Sequence, residues 1–189
     1  TPEIRNQVSG IKGITLSEIL FEIEPPRCRG MVFDGDSMLM VRFNPPDAGD
    51  HWEIPGGGSE PGESLNDRLV REMREEPGLS VEPGPIRYLC HVVDGYIIRT
   101  HIYFEATAIG GSLGNFGGMT AEESKWFVER RFVERAETLE IPAFPQNVIW
   151  NRVWADRNRG FPETVYLGLF AWNGTRFISS IDPDSKPIS

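Results

Sequence analysis

The distribution of apolar residues along the chain predicts a protein built largely from β-hairpins. Three segments each contain two apolar runs around turn-forming residues, the usual signature of a hairpin. They span residues 29–43, 86–109 and 164–181, with turns at Asp34-Gly35-Asp36, Asp94-Gly95 and Asn173-Gly174. Residues 51–54 add a short strand, residues 14–23 a strand or a short helix, and residues 81–85 a loop.

Two other segments repeat their apolar residues at helical spacing. Leu65, Leu69 and Met73 place an apolar stripe on a helix that ends before Pro77-Gly78, and residues 145–157 carry a broad apolar face. Hairpins that alternate with two helices predict an α/β (α+β) fold. We expect an α/β/α sandwich in which a mixed sheet separates the two helices.

Length and composition predict one domain over residues 1–189, since 189 residues with 39% hydrophobic content suffice for a single core. An N-terminal extension (1–28) and the C-terminal hairpin (164–181) are additions to it. The hairpin either extends the sheet beside the N-terminal segment or buries a homodimer interface.

The two cysteines, Cys28 and Cys90, are far apart in the sequence, so we expect reduced core thiols. The three histidines lack zinc-binding spacing, so we expect no zinc site.

Charge and hydropathy restrict the partners. The formal net charge is -9 and the pI is near 4.9, which argues against nucleic acid, because phosphate backbones bind basic surfaces. No apolar run approaches the ~18 residues that span a bilayer. We therefore expect no membrane partner and a cytoplasmic location. For a small phosphorylated substrate, the same negative charge would have to be offset by a bound divalent metal.

The stretch from residue 52 to residue 79 combines a glycine turn with a block of acid. Glycines 56–58 permit positive φ and a close approach of the backbone to a ligand. Ser64 is a favourable N-cap for the helix that follows. Glu72, Glu75 and Glu76 lie within an arc of about 100° in the last turns of that helix, where the helix dipole disfavours acids. Carboxylates concentrated against local preference are typical of a Mg²⁺ or Mn²⁺ site, and a solvated charged face is the alternative.

The spacing of this stretch matches a long motif, G-x5-E-x7-R-E-U-x-E-E-x-G-U, in which U is apolar. The fixed positions are Gly57, Glu63, Arg71, Glu72, Glu75, Glu76 and Gly78, with Met73 and Leu79 at the apolar positions. The chain therefore resembles the Nudix hydrolase family. The chain departs from the residues common in the family at three variable positions, which are occupied by Arg68, Leu69 and Pro77. The fixed positions are unaffected.

The resemblance implies a metal-dependent pyrophosphohydrolase with Mg²⁺ or Mn²⁺ as cofactor. It implies that Glu72 and Glu76 are the principal metal ligands, that Glu75 shares the cluster, and that the Gly56 carbonyl completes it. Gly57, Gly78 and an Arg71–Glu63 ion pair have structural roles. For the general base the candidates are Glu75, Glu122 and Glu123, the last two in an acidic loop that precedes a strand from residue 125.

The sequence gives less information about substrate recognition than about the metal site. Arg42 and Arg99 are candidates for phosphate contacts, and Trp52 and Tyr96, with Phe116, for stacking on a base. The alternative for each is an ordinary sheet residue.

The glycine-rich stretch 110–120 is either a mobile loop over the site or a plain linker. With no evident cluster of Arg or Lys, we expect a diphosphate between two organic groups or a nucleoside triphosphate held through metal. A nucleotide-binding module without hydrolysis is the alternative function.

Overall fold

In the computed structural model, residues 22–46, 48–114, 121–144, 147–172 and 177–179 are described, with 121–123, 147–148, 172 and 177–179 described by their backbone alone. These residues form eleven strands and four helices. The strands are β1 (Glu22–Ile23), β2 (Arg27–Met31), β3 (Phe33–Asp34), β4 (Ser37–Phe43), β5 (His51–Glu53), β6 (Gly56–Gly57), β7 (Leu79–Asp94), β8 (Ile97–Gly111), β9 (Phe127–Glu134), β10 (Val165–Trp172) and β11 (Phe177–Ser179). The helices are α1 (Leu65–Glu75), α2 (Ala121–Trp126), α3 (Arg135–Thr138) and α4 (Asn147–Asn158).

The larger sheet is mixed, as predicted. Its strand order is β11-β10-β7-β8-β2-β6, and β1 also pairs with β8. The long antiparallel β7–β8 hairpin forms its centre, and Asp94 pairs with Ile97 across the turn. Strand β2 runs parallel to β8, and β10 runs parallel to β7. The C-terminal hairpin thus extends the sheet at β7.

The smaller sheet is organised around β4. Strand β9 pairs along one edge of β4, and β3 and β5 share the other edge. Strand β5 then leads through Ile54 and Pro55 into β6, which belongs to the larger sheet. The two sheets are therefore connected at the glycine turn.

Alternating side chains of the larger sheet face two different helices, which confirms the predicted sandwich. Ile102 and Phe104 of β8 pack in one cluster with Leu69 and Met73 of α1. Tyr103, between them, belongs to the cluster that contains Trp150 and Trp154 of α4. At Gly30 of β2 a Cβ atom would lie 2.6 Å from the Met73 sulfur, so α1 packs almost directly on the backbone.

Several predicted boundaries are wrong. Residues 81–85 continue β7 instead of forming a loop, because Val81 is buried and pairs with Ala108, and shifts in register accommodate the prolines. The first hairpin is shorter than predicted, because β2 pairs with β8 and only Phe33–Asp34 pairs with β4. Residues 122–123 belong to helix α2, and the following strand begins at Phe127.

Other predictions fall partly outside the described residues. These include residues 14–21, residues 115–120 of the glycine-rich stretch, the turn at 173–174 and residues 180–181. The second helix is observed over Asn147–Asn158, and residues 145–146 are not described. Within the described ranges, no helix has the length and apolar character that crossing a membrane requires.

Asp156 anchors α4 to the larger sheet from a buried position. Its side chain is 2% exposed and accepts hydrogen bonds from the Tyr88 hydroxyl at 2.9 Å, from Arg152 Nε at 2.5 Å and from Arg159. Burial alone would raise the pKa of this carboxyl, but these three donors hold it below its ordinary value. The ionised form is therefore part of the folded structure.

Asp156→Asn is expected to lower the free energy of unfolding at pH 7 by about 2 kcal/mol, because two charge-assisted hydrogen bonds lose their anion. A depressed pKa contributes stability above the unfolded value of about 3.9, and this contribution is lost as the pH falls through the folded pKa. Urea denaturation should therefore show a difference between the two proteins that shrinks at acid pH. Asp36→Asn, at an exposed turn, is the control; equal stability of the two variants would contradict the anchoring role.

Candidate active site

Local chemistry sets both ends of α1. Its first turn is capped by Ser64, whose hydroxyl accepts a hydrogen bond from the Asp67 amide at 3.1 Å. At the other end, Glu76 is the C-cap and donates its amide to the Glu72 carbonyl at 2.9 Å. Gly78 follows with φ of +84°, a conformation that favours glycine. The last turn of the helix is thus directed at the glycine turn.

The glycine turn can lie against α1 only because it lacks side chains. Gly56 has φ of +137°, and a Cβ there would lie 2.0 Å from the Cys28 carbonyl oxygen. A Cβ on Gly57 would lie 2.6 to 2.7 Å from the carboxylate atoms of Glu72. Gly58, in contrast, has open space around it. The two glycines of β6 are therefore required, and the third is not.

Two carboxylates of α1 are buried against this turn. Glu72 and Glu76 are each 6% exposed, and Glu76 Oε2 accepts a hydrogen bond from the Gly56 amide at 2.7 Å. Burial, followed by repulsion from Glu53, raises the pKa of Glu76 to about 8, although Arg29 and the Gly56 amide act in the opposite direction. Glu72 also contributes to the rise in the Glu76 pKa. The site therefore concentrates more negative charge than its own donors neutralise.

Arg71 ties the outer acids to the turn. Its guanidinium binds Glu63 at 2.6 Å, Glu75 at 2.8 Å and the Gly58 carbonyl at 2.8 Å, and it lies 3.0 Å from Glu72. Hydrogen bonds from Arg71 and then from the Glu60 amide lower the pKa of Glu63 to about 2. The expected Arg71–Glu63 pair is present, and Glu75 is turned toward Arg71.

Three further residues reach the site from strands: Arg29, Glu53 and Arg130. Arg29 of β2 is 3% exposed, pairs with Glu53 of β5 at 2.8 Å and donates to the Ile54 carbonyl at 2.7 Å. Arg130 of β9 donates to the Glu76 carbonyl. None of the three was predicted from the sequence. The available signal was a charged residue inside an apolar strand pattern, as Arg29 is in the first hairpin.

The predicted substrate residues are not gathered at these carboxylates. Arg42 is held by Asp50 at 2.6 Å and Glu129 at 3.0 Å. Trp52 is 4% exposed within the core, so its ring packs and is not presented for stacking. The burial of Trp52 corrects its expected stacking role, because a strand residue that faces the core has the same local pattern as one that faces a ligand. A phosphate contact of Arg42 stays a prediction.

Two of the expected contacts lie at or near the turn of the β7–β8 hairpin. Tyr96 occupies the β7–β8 turn, 45% exposed, seven residues or about 23 Å along the strand from Tyr103, which pairs with Arg29. Arg99 binds Glu24 at 2.7 Å. The backbone of residues 122–123 lies in α2, and their side chains are outside the described residues, as is Phe116.

The carboxylate pair fits a divalent cation. Among the described residues, no three His, Cys, Asp or Glu side chains converge as a ready metal cage. Mg²⁺, however, is usually bound through one or two carboxylates, with water and substrate phosphates as the other ligands. Glu72 and Glu76 supply two hard anionic ligands beside a backbone turn, and the raised pKa of Glu76 indicates negative charge that a cation would stabilise.

Comparison with known proteins gives one family and one fold. A NUDIX domain model matches residues 25–145. A Nudix hydrolase structure from Nitrosomonas europaea is similar with a TM-score of 0.64 and 19% identity over 80% of this chain and 81% of that one. The mutator MutT protein from Bacillus halodurans has a TM-score of 0.54 and 22% identity over 82% and 94%. A UDP-X diphosphatase has a TM-score of 0.56 and 14% identity over 88% and 74%.

Gly57→Ala is expected to displace the Glu72 carboxylate, because the added methyl group would occupy its place. Mn²⁺ binding, measured by electron paramagnetic resonance, should weaken by about tenfold or more, the loss that corresponds to about 1.4 kcal/mol. Gly58→Ala is the matched control, with open space at its Cβ, and should bind Mn²⁺ as the parent does. Equal affinity of the two variants would show that Glu72 is not a ligand.

Proposed function

Because this chain belongs to the Nudix family and is a hydrolase of pyrophosphate bonds, we propose that it cleaves the diphosphate of a nucleoside diphosphate derivative with Mg²⁺ or Mn²⁺. The observation that carries this proposal is the burial of Glu72 and Glu76 against the Gly56–Gly57 backbone. Two ionisable carboxylates held out of water serve no packing purpose, and a metal-assisted phosphoryl reaction uses them directly.

Glu72 and Glu76 would hold the metal, with the Gly56 carbonyl beside them. The structure contains a Gly56 contact to Glu76 through the amide, and the carbonyl remains the predicted ligand. When bound, the metal neutralises charge on the phosphate oxygens and activates water. The chain itself supplies orientation, because Arg71 and Arg130 hold the loop and the helix end in place.

Glu75 is the proposed general base. It lies one turn from Arg71, which binds its carboxylate at 2.8 Å and so restricts its orientation. Its side chain is 24% exposed, which leaves it accessible to water, whereas Glu72 and Glu76 are buried. Glu75 would accept the proton of the attacking water as oxygen bonds to phosphorus and the phosphate leaving group departs. Glu122 remains the predicted alternative.

The substrate is a small phosphorylated molecule. A diphosphate flanked by two organic groups is favoured, and the fold shared with a UDP-X diphosphatase is compatible with that class. A nucleoside triphosphate held through the metal is the second candidate. A binding module without hydrolysis is less favoured, because every fixed acid of the motif is retained. The cytoplasmic location and a homodimer stay predictions.

Glu76→Gln is expected to abolish most turnover and leave the fold intact. The amide retains the volume of the side chain but removes an anionic ligand that a neutral group does not replace. Without metal the variant should unfold at the same or a slightly higher temperature, because a buried carboxyl that repels Glu53 and Glu72 when ionised has been replaced by a neutral amide. Glu82→Gln, on an exposed strand position, is the control. Near-normal turnover of Glu76→Gln in saturating Mg²⁺ would refute the ligand assignment.

Hydrolysis in ¹⁸O-water is expected to place the label on a phosphate product, because water attacks phosphorus. Mass spectrometry of the products of a nucleoside diphosphate panel identifies the labelled fragment. Turnover should stop when the divalent metal is chelated, and phosphomonoesters should not react, because they offer no second phosphate. Label in a sugar or base, or turnover without metal, would exclude the proposed reaction.

A further inference from the structure

A row of basic and polar side chains crosses strands β2 and β8 beside the carboxylate pair. In the parallel register, Arg27 pairs with His101 and Arg29 pairs with Tyr103. Residues paired in this way lie on the same face of a sheet, and residues two apart on a strand do so as well. Tyr103 belongs to the cluster on the α4 side. The four side chains therefore form one row on that face.

Buried polar atoms in this row lack hydrogen-bond partners. Within the described structure these atoms are Arg27 Nε, Arg29 Nε, His101 Nδ1 and the Tyr103 hydroxyl oxygen. Nearly all buried polar atoms in folded proteins have a partner, so four unpartnered atoms in one row require an explanation. His101 is 3% exposed, and its ring centre lies 5.4 Å from that of Phe144. This packing explains why the ring is buried, but it gives Nδ1 no hydrogen-bond partner.

The row also carries uncompensated positive charge. The acids that act on Arg27, Glu53 and Glu24, are bonded to Arg29 and Arg99 instead. Burial, followed by repulsion from Arg29, lowers the pKa of Arg27. Burial and then the neighbouring arginines also lower the pKa of His101 well below its ordinary value, so that this ring is neutral. The sequence does not show this row, because its members lie at positions 27, 29, 101 and 103.

The row is continuous with the proposed hydrolytic site. Arg29 and Glu53 both act electrostatically on Glu76, so one end of the row lies next to the carboxylate pair. Arg27 lies two residues further along β2, about 7 Å away. It is partly exposed, so the row opens to solvent at that end. A group attached to a diphosphate near Glu76 would therefore extend toward Arg27 and His101.

We propose that Arg27 and His101 bind an anionic oxygen group, a phosphate or a carboxylate, on the organic moiety that flanks the hydrolysed diphosphate. An arginine matches either group with paired donors, and a neutral imidazole can donate one further hydrogen bond. The inference rests on the proposed function, which supplies the hydrolytic reaction. The preference for a ligand that carries an additional anionic group is a property of binding and can be measured without hydrolysis. It narrows the substrate to derivatives with negative charge beyond the scissile diphosphate.

Two matched ligand pairs test this preference. UDP-glucuronic acid differs from UDP-glucose by a carboxylate, and ADP-ribose 2′-phosphate differs from ADP-ribose by a phosphate. Binding is measured by titration calorimetry with Mg²⁺ in the wild-type protein, using analogues of these four compounds in which a methylene group replaces the bridging oxygen of the diphosphate, so that no ligand is consumed. The same titrations are repeated after adding Arg27→Gln or, as the charge-matched control, Arg159→Gln, whose side chain is 61% exposed at the end of α4.

The charged member of at least one pair should bind about tenfold or more tightly than its neutral partner, the scale of one charge-assisted hydrogen bond. The pair with the larger ratio identifies phosphate or carboxylate as the preferred group. Arg27→Gln should bring that ratio close to one, and Arg159→Gln should preserve it.

Ratios near one in both pairs, no measurable binding of any member, or a ratio unchanged by Arg27→Gln would each overturn the proposal. Hydrolysis by the wild-type chain is assayed separately on the four parent compounds. A charge preference without any hydrolysis would refute the proposed function and leave the anion site at Arg27 and His101 standing. Hydrolysis without a charge preference would refute the anion site alone.

Discussion

The contact between the last turn of α1 and the Gly56–Gly57 backbone is the constraint on which the site depends. Glu72 and Glu76 are one helical turn apart, and both reach this backbone. Any side chain at Gly57 would occupy the space of the Glu72 carboxylate. At Gly30 a Cβ atom would likewise lie 2.6 Å from the sulfur of Met73, on the same helix. Glycines on two strands therefore allow the helix to approach the sheet and bury its acids.

Burying two carboxylates together is unfavourable unless something compensates their charge. The cations around them are largely committed to other partners: Arg71 to Glu63 and Glu75, and Arg29 to Glu53. The consequence is the raised pKa of Glu76, caused by burial and then by Glu53. A bound divalent cation would balance the pair, and this links the packing of the helix to the proposed chemistry.

Local chemistry could be predicted from the sequence, and long-range pairing could not. The Ser64 cap, the end of α1 near Gly78 and the Asp94-Gly95 hairpin depend on neighbouring residues and were recognised. The parallel pairing of β2 with β8 joins residues more than seventy positions apart, and no local pattern specifies it. For that reason Arg29 and His101 were missed. Trp52 was offered as a stacking residue because aromatic strand residues have the same pattern whether they face a core or a ligand.

Crystals of the wild-type chain soaked in Mn²⁺ would test the central claim most directly, by anomalous diffraction at the manganese edge. The account predicts a peak within about 2 Å of carboxylate oxygens of both Glu72 and Glu76, the usual ligand distance for such ions. A peak bound only by acids outside the buried pair, such as Glu60 or Glu75, with none at Glu72 and Glu76, would contradict it.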